Sequence, residues 1–150
     1  MRKRAEMIRL TRKYRFSASH RLHLSEASDD RNRELYGKCN NPYGHGHDYV
    51  LEVAVRGPID VQSGQAANPS ALDALVRRSV LDDFEHKNLN ADVREFGSTV
   101  PTSENILSAI ERRLLANWKD FFTGEWPALE RVRLRETRKN SFEINPKDKL

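Results

Sequence analysis

Cysteine is nearly absent: Cys39 is the only one in 150 residues. One thiol cannot close an internal disulfide framework, and it excludes a cysteine-rich zinc module. Long apolar runs are missing too. No stretch approaches the ~18 apolar residues of a membrane-spanning helix, and apolar residues make up only 37 % of the chain. The N-terminus is basic but lacks an apolar stretch of roughly 7–15 residues, so it does not read as a secretory signal. A cytoplasmic protein without a membrane partner is expected. No repeat recurs at a period of about 20–50 residues, and no low-complexity tract is found. Disorder is excluded because Val, Ile, Leu and aromatics recur at regular periods. The length fits one domain, 1–150, large enough to bury roughly two-thirds of its unfolded surface.

Charge of one sign is concentrated rather than abundant. Basic residues number 26 and acidic residues 22, giving +4 with histidine neutral. Residues 1–15 hold Arg2, Lys3, Arg4, Arg9, Arg12, Lys13 and Arg15 against Glu6, which is +6, so the other 135 residues sum to −2. A basic arm raises nucleic acid as a partner. Only Arg2–Arg4 cluster, however, and residues 1–6 read as a loose basic arm. The remaining basic residues alternate with apolar ones, as on the wet face of a strand, so no nucleic-acid partner is expected.

What the chain does have is period two. From Ile8 the even positions read Ile8, Leu10, Arg12, Tyr14, Phe16, Ala18, His20, apolar apart from Arg12 and ending in histidine. This predicts a long half-buried strand. A polar segment from about Arg21 to Gly44 reads as a long loop, of the kind that is usually functional or mobile. A second strand runs from about His45 to Arg56, with His45 and His47 opening its more apolar face above Tyr49, Leu51 and Val53. Asn68-Pro69 reads as an N-cap and first helical residue, followed by an amphipathic helix to about Phe84. A second helix opens at Pro101–Ser103, with Ile106, Ile110, Leu114 and Trp118 each four apart. Period two returns at Val132, Leu134 and Glu136, and Phe142 with Ile144 suggests a short last strand. The order β-β-α-α-β-β predicts an α+β fold with an antiparallel four-stranded sheet and two helices.

Three of these strands carry a polar residue at the end of an apolar face: His20, His45 with His47, and Glu136. That points to one site at a rim of the sheet. Residues i and i+2 of a strand share a side, so His45 and His47 can converge on one ion, with Gly46 letting the backbone pass close. His20 can supply a third nitrogen, and His23 competes for that place. Three histidines with an open fourth position suit a catalytic zinc ion. Cys39 lies in a polar segment with nothing apolar to pack. It is either a small buried hydrophobe or a thiol whose pKa is lowered so that it acts as a base. Glu85 beside His86 can fix the imidazole tautomer, or the two form a plain surface pair. Glu136 suits a ligand with adjacent N–H donors, such as the guanidine-like edge of a pterin or guanine, or else pairs with an arginine.

The motifs Phe16-Ser17-Ala18-Ser19-His20-Arg21-Leu22, Gly37-Lys38-Cys39-Asn40-Asn41-Pro42-Tyr43-Gly44-His45-Gly46-His47, His86-Lys87-Asn88-Leu89-Asn90, Pro101-Thr102-Ser103-Glu104-Asn105 and Glu136-Thr137 with Asn140 resemble those of the 6-pyruvoyl-tetrahydropterin synthases. The similarity runs from about Tyr14 to Ile144. It implies the tunnelling fold, and a homohexamer of two stacked trimers with sites at subunit interfaces. It also implies a zinc-dependent lyase that eliminates triphosphate from 7,8-dihydroneopterin triphosphate to give 6-pyruvoyl-tetrahydropterin. By the same resemblance His20, His45 and His47 hold Zn2+, Cys39 is the base, and His86 relays protons with Glu85. Glu136 anchors the pterin, helped by Thr102, Ser103 and Glu104. The chain departs from the family at Glu85, where aspartate is usual, and at Gln65-Ala66-Ala67-Asn68, where the family is apolar. The runner-up, 6-carboxy-tetrahydropterin synthase of deazaguanine precursor synthesis, tends to have three residues between the cysteine and the first histidine. Here there are five, Asn40 to Gly44. A metal-containing nucleic-acid-binding protein is the alternative of another class; it leaves Cys39 and Glu136 without a role.

Overall fold

The computed structural model describes residues 4–150, so Met1–Lys3 of the expected basic arm lie outside the described residues. Residues 4–6 precede the first strand without regular structure. Strand β1 (Met7–His20) pairs antiparallel with β2 (His45–Pro58) along its whole length, from Met7↔Pro58 to His20↔His45. β2 then pairs with β4 (Ala128–Arg135), and β4 with β5 (Ser141–Ile144), all antiparallel.

The helices cover one face of this sheet. α2 (Pro69–Val76) continues through a π turn (Arg77–Leu81) into α3 (Asp82–Phe84). The Asn68 side chain accepts the Ser70 and Ala71 amides, the cap that Asn68-Pro69 predicts. The second expected helix is Ser103–Phe121, capped by the Thr102 hydroxyl accepting the Asn105 amide. Phe16, Tyr49, Leu51, Val53, Val132 and Leu134 of the sheet are buried against Leu72, Leu75, Val80, Phe84, Ile106 and Leu114 of the helices. Arg12, the exception on the apolar face of β1, donates from Nε and Nη2 to the Asp73 carboxylate of α2 at 2.7 and 2.8 Å, and Tyr14 donates its hydroxyl to the same carboxylate. The arginine therefore pins sheet to helix instead of breaking the pattern. Among the described residues no helix is long and apolar enough to cross a membrane.

Two expectations are corrected. The sheet has five strands and is mixed, not four-stranded and antiparallel: β3 (Lys87–Asn88) lies parallel to β1 at Ala18 and Ser19, giving the order β3-β1-β2-β4-β5. Two residues are too short to carry a period. What forms this strand is the preceding turn, where the His86 amide donates to the Ser17 carbonyl at 2.6 Å and the Glu85 carboxylate accepts the Ser17 amide at 3.1 Å. The second correction concerns 21–44, expected as a loop. It contains helix α1 (Asp29–Tyr36) and a 3₁₀ turn (Gly37–Asn40). α1 has no apolar stripe to read, since Asn32 is its only buried residue. It is held by polar means. Ser28 caps the Arg31 amide, Asp29 and Asp30 sit at the positive end of the helix dipole, and Asn32 accepts the Leu24 amide while donating to the Leu24 carbonyl. After Phe84 the chain also makes a short helix α4 (Leu89–Asp92) and a 3₁₀ turn (Arg94–Gly97). Ser103–Phe121 is therefore α5.

Candidate metal centre at the strand ends

The β1–β2 register builds the site. His20 lies opposite His45, and Ala18 opposite His47, so all three histidines rise from one face at one end of the sheet. The small Ala18 leaves room beside His47. Gly44 makes the turn into β2 possible. It has φ +80°, and a Cβ there would meet the His20 carbonyl oxygen at 2.9 Å. Gly46, expected to allow the close approach, is not where it happens: a Cβ on Gly46 meets nothing within 4 Å.

Four potential ligand atoms, one each from His20, Cys39, His47 and Glu136, lie within 4.8 Å of one another. The Cys39 sulfur is 3.8 Å from His47 Nε2. Glu136 Oε1 is 3.2 Å from His47 Nε2 and 3.8 Å from His20 Nε2, and its Oε2 accepts the Ser103 hydroxyl at 2.7 Å. Glu136 thus pairs with histidine and serine, not with one of the arginines.

The donor set fits a cation. His20 is 1 % exposed and its Nδ1–H donates to the Pro101 carbonyl at 2.8 Å. That bond fixes the tautomer and leaves Nε2 as a buried lone pair without a hydrogen-bond partner. Burial, above all, lowers the pKa of His20 and of His47, which keeps both imidazoles neutral and able to ligate. The His45 ring stacks on His47 with centroids 4.7 Å apart, and its Nδ1–H donates to the Gly46 carbonyl, so its Nε2 is also free to accept. His45 nevertheless stands outside the four-atom cluster, which holds Cys39 and Glu136 in its place. His23 is drawn elsewhere, with Nδ1 3.0 Å from the Asn40 side-chain amide.

Cys39 corrects an expectation. Its pKa is raised, first by burial and then by the Glu136 charge, so the loop does not activate the thiol by itself. The other predicted residues divide. Ser103 joins the site through Glu136. Thr102 is occupied as the α5 cap, and Glu104 faces solvent in the first turn. Glu85 Oε1 and His86 Nε2 are 3.0 Å apart, with His86 79 % exposed, but the pair sits at the β3 edge of β1. There it lies one strand outward from β1, while His47 is on β2 and Glu136 follows β4. His86 adopts φ +57°, unusual for a residue with a side chain, and its amide bond to Ser17 holds it there. It lines an open cavity of ≈ 590 Å³ with Ser17, Ser19, Gly46 and Asp48, residues of the face opposite the helices, and with His47.

Residues 9–147 match the sequence profile of a family described as 6-pyruvoyl tetrahydropterin synthase. A 6-pyruvoyl tetrahydrobiopterin synthase of Poecilia reticulata is 48 % identical over 97 residues, covering 65 % of this chain and 66 % of that protein. One of Drosophila melanogaster is 40 % identical over 131 residues, covering 87 % of this chain and 75 % of its own. The structure of 6-pyruvoyl tetrahydropterin synthase from Caenorhabditis elegans superposes with a TM-score of 0.84 at 38 % identity, covering 96 % of this chain and 99 % of that one.

Proposed function

Because this chain belongs to the 6-pyruvoyl tetrahydropterin synthase family, we propose that it is a lyase which eliminates triphosphate from 7,8-dihydroneopterin triphosphate, with internal redox of the side chain, to give 6-pyruvoyl-tetrahydropterin. The observation that carries this reading is the convergence of His20, His47, Cys39 and Glu136 at one sheet rim, with a bare, buried imidazole nitrogen among them.

His20, His45 and His47 would hold the metal, proposed as zinc because three imidazoles with an open position suit it. When bound there, zinc would supply Lewis-acid charge next to the substrate oxygens and would favour thiolate over thiol at Cys39. Cys39, 3.8 Å from His47, takes and returns the proton on the substrate side chain. Glu136 anchors the N–H edge of the pterin, oriented by the Ser103 hydroxyl at 2.7 Å. Thr102, which also caps α5, and Glu104 in its first turn help to hold the pterin beside Glu136. Glu85 and His86 relay protons from the β3 edge. A homohexamer, a dimer of trimers in which sites form between subunits, is part of the same proposal and rests on the family resemblance. A cytoplasmic location follows as part of the same proposal. The five residues between Cys39 and His45 favour the pyruvoyl product over the 6-carboxy product.

Product analysis with 7,8-dihydroneopterin triphosphate tests the reading. Release of triphosphate with a pyruvoyl pterin is expected. Release of acetaldehyde would establish the 6-carboxy activity instead.

A further inference from the structure

The unforeseen helix α1 adds little to the apolar core. Its only apolar side chains, Leu35 and Tyr36, stand in its last turn and are not buried, and α1 buries only Asn32. It delivers charge. Arg33 of α1 and Lys38 of the following 3₁₀ turn line a cavity of ≈ 430 Å³ together with Arg21, and its far wall is Pro42 and His45. Asp29 also lines it, leaving two positive charges in excess. Arg21 is fixed in place. Asn90 accepts its amide at 2.7 Å and donates to its carbonyl at 2.9 Å, and its Nε donates to the Asn40 carbonyl at 3.3 Å. Arg33 pairs with Asp30 three residues before it, an exposed pair of the kind that is readily exchanged for a better anion.

Position gives this cavity a ligand. Arg135 pairs with Val50, so Glu136 stands level with Tyr49. His47 lies two residues further along β2, His45 four, and the cationic cavity begins at His45. From the level of Glu136 to that of His45 is roughly 13 Å of strand. We infer that the Arg21–Arg33–Lys38 cavity binds the triphosphate of the substrate and selects the phosphorylated pterin over its free alcohol. This rests on the pterin triphosphate reading above. A ring held at Glu136 directs its side chain past the histidines, and its phosphates arrive where arginine forks can grip them bidentately. The same grip steadies the leaving group as the carbon–oxygen bond breaks.

Fluorescence titration of the metal-loaded full chain with neopterin triphosphate and with neopterin, neither of which is a substrate for elimination, tests this without turnover. Wild type binds the triphosphate about 100-fold more tightly, the scale of a few charge-assisted hydrogen bonds. Arg33→Ala/Lys38→Ala lowers that preference at least about tenfold, while neopterin affinity stays within about twofold, which also reports an intact fold. Arg31→Ala, on the same helix but outside the cavity, keeps the preference. An undiminished preference in the double variant overturns the inference. So does an equal loss for both ligands, or the lack of any preference in wild type. A wild type that shows this binding pattern yet releases no triphosphate from the dihydro substrate contradicts the proposed activity and leaves the subsite standing.

Discussion

At Cys39 the site shows how position assigns a role. The thiol lies within the cluster, close enough to ligate, yet burial and then the Glu136 charge push its pKa up. If Cys39 is the base and the histidines are the ligands, Cys39→Ala lowers kcat by about 10²–10⁴-fold and leaves the metal content unchanged. Loss of the metal along with activity would make Cys39 a ligand. Gly44 is the second sensitive residue, because its φ and its contact with the His20 carbonyl both exclude a side chain. Gly44→Ala is expected to cost about 1–3 kcal/mol in urea unfolding and to weaken metal binding by displacing His45. The histidines were legible in the sequence because period two puts them on the buried face. The Ser103–Glu136 bond was not, since α5 and β4 meet only through tertiary packing. The true place of the glycine constraint, Gly44 and not Gly46, depends on a turn that no period reveals.

Elements with an apolar face were readable, and those held by polar bonds were not. β1, β2, α2 and α5 carry their periods in Phe16–Ala18, Leu51–Val53, Leu72–Val76 and Ile106–Leu114. α1 rests on Ser28 and Asn32, and β3 on the Ser17 peptide, so neither leaves an apolar signature. The π turn at Arg77–Leu81 was also hidden within a continuous apolar pattern. It places the Ser79 carbonyl where Arg113 of α5 can donate to it, beside Glu95 and Asp83. The Arg113 guanidinium holds the Glu95 carboxyl below its usual pKa, chiefly through their hydrogen bonds. A carboxyl depressed in the folded state adds stability above its unfolded pKa and loses it as pH falls through the folded value. Urea unfolding from about pH 6 down to about pH 2 should therefore show wild type losing stability steeply on the acid side. Glu95→Gln should be less stable than wild type at pH 6 and flatter below it. Parallel curves would exclude Glu95 as a contributor.

Across the whole molecule, the proposed chemistry is carried by two groups of residues whose nearest members, His47 and His86, line one open cavity. Cys39, His20, His47 and Glu136 gather at one rim, while Glu85 and His86 sit at the β3 edge. If neighbouring subunits bring the two together, co-expressed Cys39→Ala and His86→Ala chains, each inactive alone, regain activity in mixed assemblies. A mixture as inactive as its parts would mean that each chain uses only its own residues. The charge distribution takes a related sense at this scale. The basic residues of β1 belong largely to a strand face, with Arg9 paired to Glu130 and Lys13 near Glu52. The cations that matter for an anionic substrate lie instead at Arg21, Arg33 and Lys38.

The central claim is that the strand-end imidazoles carry a metal on which elimination depends. The direct measurement is triphosphate release by protein stripped with a chelator and then titrated with zinc. The core is built of apolar side chains from the sheet and helices that take no part in ligation, so the stripped protein should keep its circular dichroism, release no triphosphate, and recover full activity as zinc approaches one ion per chain. Undiminished triphosphate release by the stripped, folded protein would contradict the account.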